Sequence, residues 1–203
     1  NTMTWYDPVT KTIDFIKNPN TKVFDTTKVD LNCTILRNML NSLKASGKSK
    51  YIRKIEAGNE DYWIQAGAGY TGAEYAYVTK KYTDVVLDVL PDADIIITAW
   101  VPPKDFHATT LEVDTSNTWM TDVMTDMKNS GYIPKIGGYS FHIYSSGGRG
   151  KENTDIATYL YNSKYYKRFD QTEYLTMIKT FLQSFGVTNP KVYVTECNGS
   201  HYS

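Results

Sequence analysis

Three short stretches carry the residue types that do chemistry. Gly58-Asn59-Glu60-Asp61, His142-Ile143-Tyr144 and Thr195-Glu196-Cys197-Asn198 each close a run that reads as a β-strand. In βα barrels the active site lies at the C-terminal ends of the strands, on the loops that follow. The three tips bring two carboxylates, an imidazole, a phenol and a carboxamide to one face. Paired carboxylates are equipment for moving protons and for attacking an electrophilic carbon. Singly, each residue has a plain structural reading: an acid after a strand caps a helix or faces water, His142 makes a core bond, Tyr144 packs. The shared phase on separate strands makes the set a candidate site.

The elements that must position these residues alternate along the chain. Residues 33–46 read as a helix closed by Gly47, a left-handed terminator. Residues 52–58 read as a strand. A second helix starts near Thr71, with Glu74 in a capping-box position. Its apolar stripe is Val78, Tyr82, Val85, Val86 and Val89, and Pro91 marks its end. Residues 93–100 are β-branched and apolar on both faces, as in a strand covered on both sides. Met120, Val123, Met124 and Met127 form a further helical stripe before the strand 137–144. Tyr174, Ile178, Phe181, Leu182 and Phe185 form another, stopped by Gly186 before the strand 191–197. Such alternation implies a parallel sheet, either open and doubly wound or closed as a barrel. Residues 1–30 read as a loop or hairpin insertion, and 31–203 as successive βα units. Four strands leave raw sheet edges, so the expected partner is the remainder of a longer chain of its own.

Lysine plus arginine number 22, as do aspartate plus glutamate, and this balance argues against a nucleic-acid partner. No window approaches the roughly 18 apolar residues of a membrane span. The 17 tyrosines suit stacking on sugar rings, although an Asn-, Lys- and Tyr-rich composition produces them equally. Cys33 and Cys197 are too few for a disulfide framework and wrongly spaced for zinc. With only His107, His142 and His201 and no H-E-x-x-H, no metal or other cofactor is expected. No G-x-S-x-G elbow occurs. Gly67-Ala68-Gly69-Tyr70-Thr71-Gly72 matches a dinucleotide-binding string. Eight residues separate it from the strand, however, and no acid stands at the next strand's end, so a loop is expected. Gly147-Gly148-Arg149-Gly150 reads as a surface turn. Sequons at Asn32 and Asn198 are N-glycosylation candidates and lean toward a secreted, extracellular protein.

The motifs in order, IEAGNEDYW, VLPDADIIITAW, FHIY and VYVTECN, resemble clan A glycoside hydrolases. The Gly-Asn-Glu-Asp form is most similar to α-L-arabinofuranosidases of glycoside hydrolase family 51. The similarity runs over roughly residues 33–198. It implies an α/β chain with a (β/α)8 TIM barrel, present only in part, from about the fourth strand to the seventh. It implies a retaining glycosidase acting on glycan side chains or oligosaccharides, α-L-arabinofuranosides being the narrower expectation. Glu60 would be the acid/base and Glu196 the nucleophile. Asn59 would bond the hydroxyl beside the anomeric carbon, His142 and Tyr144 would orient the nucleophile and line the subsite, and Trp100 would offer an aromatic wall. Cys197 and Asn198 depart from that family's pattern. In the retaining geometry the carboxyls stand about 5 Å apart, and a glycosyl ester forms on one of them. A glycosidase-like barrel without catalysis, serving as an extracellular carbohydrate-binding or structural module, is the alternative from another class.

Overall fold

The computed structural model describes residues 4–7, 12–18, 20–62, 69–102, 112–146 and 172–200; side chains are described for 16–18, 20–62, 69–102, 112–142 and 174–196. Two short strands, β1 (Thr4–Asp7) and β2 (Thr12–Phe15), pair antiparallel. Helix α1 (Thr26–Ala45) follows, then β3 (Lys54–Ala57), α2 (Gly72–Val89), β4 (Asp94–Thr98), α3 (Trp119–Asn129), β5 (Ile136–Ser146), α4 (Thr172–Ser184) and β6 (Val192–Ser200). The chain is α/β, with a four-stranded parallel sheet in the sequential order β3-β4-β5-β6.

Local chemistry explains most boundaries. Thr71 caps α2, and its hydroxyl and the Glu74 carboxylate bond each other's backbone N–H in a full capping box. Gly47 ends the α1 turn at φ 69°, a conformation that costs glycine little. One boundary differs from expectation. Helix α1 begins at Thr26, inside the segment read as loop or hairpin, not at residue 33. Asp25 accepts from Thr27 N–H as its N-cap. Val29 is fully buried and Asn32 Nδ2 donates to Tyr82 OH of α2 at 3.2 Å. Tertiary contact thus holds a first turn too polar to show an apolar stripe.

The core lies on one side of the sheet. Buried residues of all four helices, among them Leu40, Val78, Met124 and Ile178, join Ile95, Ile97, Tyr139 and Phe141 in one cluster. The opposite face carries Lys54, Glu56, Ile96, Gly138, Tyr193 and Thr195. A Cβ on Gly138 would stand 2.4 Å from the Tyr193 ring and 3.0 Å from Ile96, and Lys54 Nζ lies 5.5 Å from the Tyr193 ring centre. The segment after β2 docks through Lys17, whose Nζ bonds Glu74 Oε2 at 2.6 Å and Gly69 O at 3.0 Å. Among the described residues no helix is long and apolar enough to cross a membrane.

Candidate active site

The site is assembled where β3 ends, against the inner parts of β5 and β6, which run to Ser146 and Ser200, four residues beyond His142 and Glu196 and past the strand ends expected at 144 and 197. Strand β3 stops at Ala57, and the chain turns sharply. Gly58 has φ 105° and Glu60 φ 49°, so a glutamate occupies the left-handed region that side chains rarely adopt. Such outliers gather where surrounding structure enforces them, often at functional sites. Beneath the turn lies Asp61, fully buried, its Oδ2 accepting from Asn59 N–H at 3.1 Å.

Strand β6 reaches the site through an irregularity. Up to Phe141 the pairing with β6 is regular, Tyr139 with Val192 and Phe141 with Val194. A bulge then skips Thr195 and sets His142 opposite Glu196. Regular alternation turns successive side chains to opposite faces. The extra residue breaks that rule. Thr195 contacts Glu56 on the open face, and Glu196, its neighbour, reaches His142 near the same rim.

His142 joins the two glutamates. Its Nδ1 lies 2.9 Å from Glu60 Oε1 and its Nε2 3.5 Å from Glu196 Oε1. The first is a full hydrogen bond; the second is a looser charge contact. The imidazole is almost wholly enclosed, at 4% exposure, against 13% for Glu60 and 43% for Glu196. A neutral ring donates from one nitrogen only, so it offers both carboxylates a proton only as imidazolium. The sequence-derived role for His142 was orientation of the nucleophile; its shorter contact is instead with Glu60.

The turn that carries Glu60 leads through Tyr62 into an aromatic layer. Trp100 stacks on Tyr62 with ring centres 4.7 Å apart and planes 13° off parallel, and Tyr62 meets Trp119 edge-on at 5.6 Å. Trp119 Nε1 donates to Tyr70 O at 2.8 Å. Tyr75, fully buried on α2, donates its OH to Ala57 O at 2.5 Å and accepts from Thr98 N–H at 2.7 Å. One phenol thereby ties the tips of β3 and β4, and burial pushes it well above its ordinary ionisation range.

Glu60, Glu196 and His142 are therefore brought together. Trp100 reaches the aromatic layer, and the bond described for Asn59 is of its backbone N–H. Tyr144 and Asn198 are register partners across β5 and β6. Their side chains, like that of Cys197, lie outside the described residues. So do His107, His201, Gly67, Ala68 and the 147–150 turn. Thr71 and Gly72, the end of the glycine string, start α2. Asn32 sits within α1 with its amide on Tyr82, a bond a glycan there would replace. Tyr62, Tyr75 and Glu56 were not singled out from sequence, and Asp61 and Thr195 stood in the named stretches without a role of their own. Tyr62, two places after Glu60 in the same loop, had the best local signal. Among the described residues no group of three or more His, Cys, Asp or Glu is placed to hold a metal ion. No protein-family model and no curated protein matches the chain.

Proposed function

We propose that the chain is part of the catalytic barrel of a retaining glycoside hydrolase, with Glu60 as acid/base and Glu196 as nucleophile. The observation that carries this reading is the single imidazole of His142 within 2.9 Å of one glutamate and 3.5 Å of the other. Two carboxyls that touch one ring have those oxygens within about 9 Å of each other, a span over which a pair can act on one glycosidic bond, and the sequence resemblance selects the retaining course. The stacked pair Tyr62–Trp100 supports it as a flat surface suited to a sugar ring. On this reading β3 and β6 pair with further strands of the same polypeptide, completing a (β/α)8 barrel. The substrate is a glycan side chain or oligosaccharide outside the cell, with α-L-arabinofuranosides as the narrower choice.

The chemistry follows from the contacts. Nδ1–H of His142 donates to Oε1 of Glu60, leaving Oε2 to carry the proton delivered to the glycosidic oxygen. As that C–O bond breaks, a Glu196 oxygen attacks the anomeric carbon and forms a glycosyl ester. The leaving alcohol departs with the proton of Glu60. Water then gives its proton to Glu60, attacks the same carbon and releases Glu196 as carboxylate.

The test is hydrolysis of aryl glycosides by the full-length protein and its Glu60→Gln and Glu196→Gln variants. Each substitution should lower turnover by about a hundredfold or more. Added azide should restore turnover in Glu60→Gln with the anomeric configuration kept, and in Glu196→Gln with it inverted. Undiminished turnover in both variants rejects the assignment. Sugar binding by a wild-type protein that hydrolyses nothing supports the non-catalytic module instead.

A further inference from the structure

We propose that Asp61 is a positioning residue for Glu60: its buried carboxylate closes the turn after β3 that holds the Glu60 side chain against His142. The inference rests on the reading of Glu60 as acid/base. Asp61 is fully buried one residue beyond that glutamate, and its Oδ2 accepts from Asn59 N–H at 3.1 Å. Its own carbonyl accepts from Tyr70 N–H at 2.9 Å, which anchors the far side of the turn to the start of α2. The carboxylate occupies the space a side chain on Gly58 would need, since a Cβ there would stand 1.8 Å from Asp61 Oδ2. Gly58 at φ 105° is thus required twice, for its conformation and for the room it leaves.

Between these two residues Glu60 is held at φ 49°. Non-glycine residues persist there only where their surroundings over-determine the conformation. A carboxylate removed from water is itself costly unless its partners are in place. Both costs meet in one four-residue turn, and the group delivered by that turn is the one bonded to His142. Burial foremost, and then the neighbouring Asp61, raise the phenols of Tyr70 and Tyr75 above their ordinary range.

The experiment uses the full-length protein with Asp61→Ala, Asp61→Asn and Gly58→Ala, assayed on phenyl and on dinitrophenyl α-L-arabinofuranosides. The dinitrophenolate leaves without a proton, whereas phenol needs the acid. A misplaced Glu60 should therefore lower kcat/KM on the phenyl substrate by about tenfold or more in Asp61→Ala. On the dinitrophenyl substrate kcat/KM should stay within about twofold, while kcat and KM fall together because Glu60 is also the base that activates water in the second step. Gly58→Ala, which drives the carboxylate out, should behave in the same way and replaces Asp61→Ala if that variant does not fold. Asp61→Asn keeps an oxygen for Asn59 N–H and should recover most of the phenyl turnover. Equal losses of kcat/KM on both substrates, or no rescue by Asn, overturn the proposal. If the wild type hydrolyses neither substrate, the choice of arabinofuranosides fails, and crystal structures still decide the positioning. In Asp61→Ala, Glu60 should leave φ > 0 and its bond to His142. If both persist, Asp61 does not position it.

Discussion

Thr195 Oγ1 donates to Glu56 Oε1 at 3.4 Å, although β4 and β5 lie between the strands that carry them. In a flat sheet the first and fourth strands would be roughly 14 Å apart. That exceeds the combined reach of a glutamate and a threonine side chain. The sheet is therefore rolled, with the helices on its convex side and Glu56 and Thr195 on its concave side. Rolling brings β3 and β6 toward each other, and with them Glu60 in the turn after β3 and Glu196 on β6. It is also the curvature a closing barrel requires.

His142 should be indispensable to the proposed reaction out of proportion to its effect on folding. Replacing it with alanine removes a hydrogen bond to a charged group, which at about 1.5–3 kcal/mol corresponds to a tenfold to hundredfold loss in kcat. Steady-state kinetics on aryl glycosides checks this, and an unchanged kcat would remove His142 from the machinery.

Tyr75→Phe should destabilise the protein by about 1–3 kcal/mol, because Ala57 O and Thr98 N–H would lose the one hydroxyl that satisfies both. Urea unfolding measures the change. A midpoint equal to that of the wild type would mean that water or a neighbour replaces the phenol at no cost.

Gly72→Ala should also destabilise, by about 1–3 kcal/mol, despite alanine's better helix propensity. A Cβ at Gly72 would stand 2.3 Å from Trp119 O and 2.7 Å from Asp122 Cβ, so α2 and α3 would have to part. A rise in Tm would show that the helices can separate without loss.

Acid should weaken the junction of α2 with the turn after α3. Burial works against ionisation of Asp84, but hydrogen bonds from Tyr132 OH and Lys135 Nζ, with the lysine's charge, outweigh it and hold the carboxyl below its ordinary value of 3.8. A depressed folded-state value gives stability that is complete above the unfolded value and lost as pH falls through the folded one. The Tm difference between wild type and Asp84→Asn should be constant near neutrality and shrink below pH 3.8. The side chain is half exposed, so the effect is small and added salt should reduce it further.

Much of this protein is written in local pattern. The capping box of Thr71 and Glu74, the methionine stripe of α3 and the apolar run of β4 each specify an element from residues within a turn or two of one another. Pattern already assigned Glu60, His142 and Glu196 to β3, β5 and β6, although β5 and β6 run four residues beyond His142 and Glu196. Helix α1 shows where such reading stops, since its first turn is polar and depends on Val29 and on the bond from Asn32 to Tyr82, 50 residues away.

Tertiary structure alone decided how the site is aimed. The bulge between Phe141 and His142 appears only when β5 and β6 pair, and without it Glu196 would follow Val194 in strict alternation. The left-handed turn at Glu60 depends on where the Asp61 carboxylate finds room, and the contact with His142 spans 82 residues. Periodicity is a property of neighbours in the chain, whereas register, burial and curvature belong to segments that meet only after folding. The sequence by itself therefore determined which strands carry the candidate residues, and packing determined which of them touch.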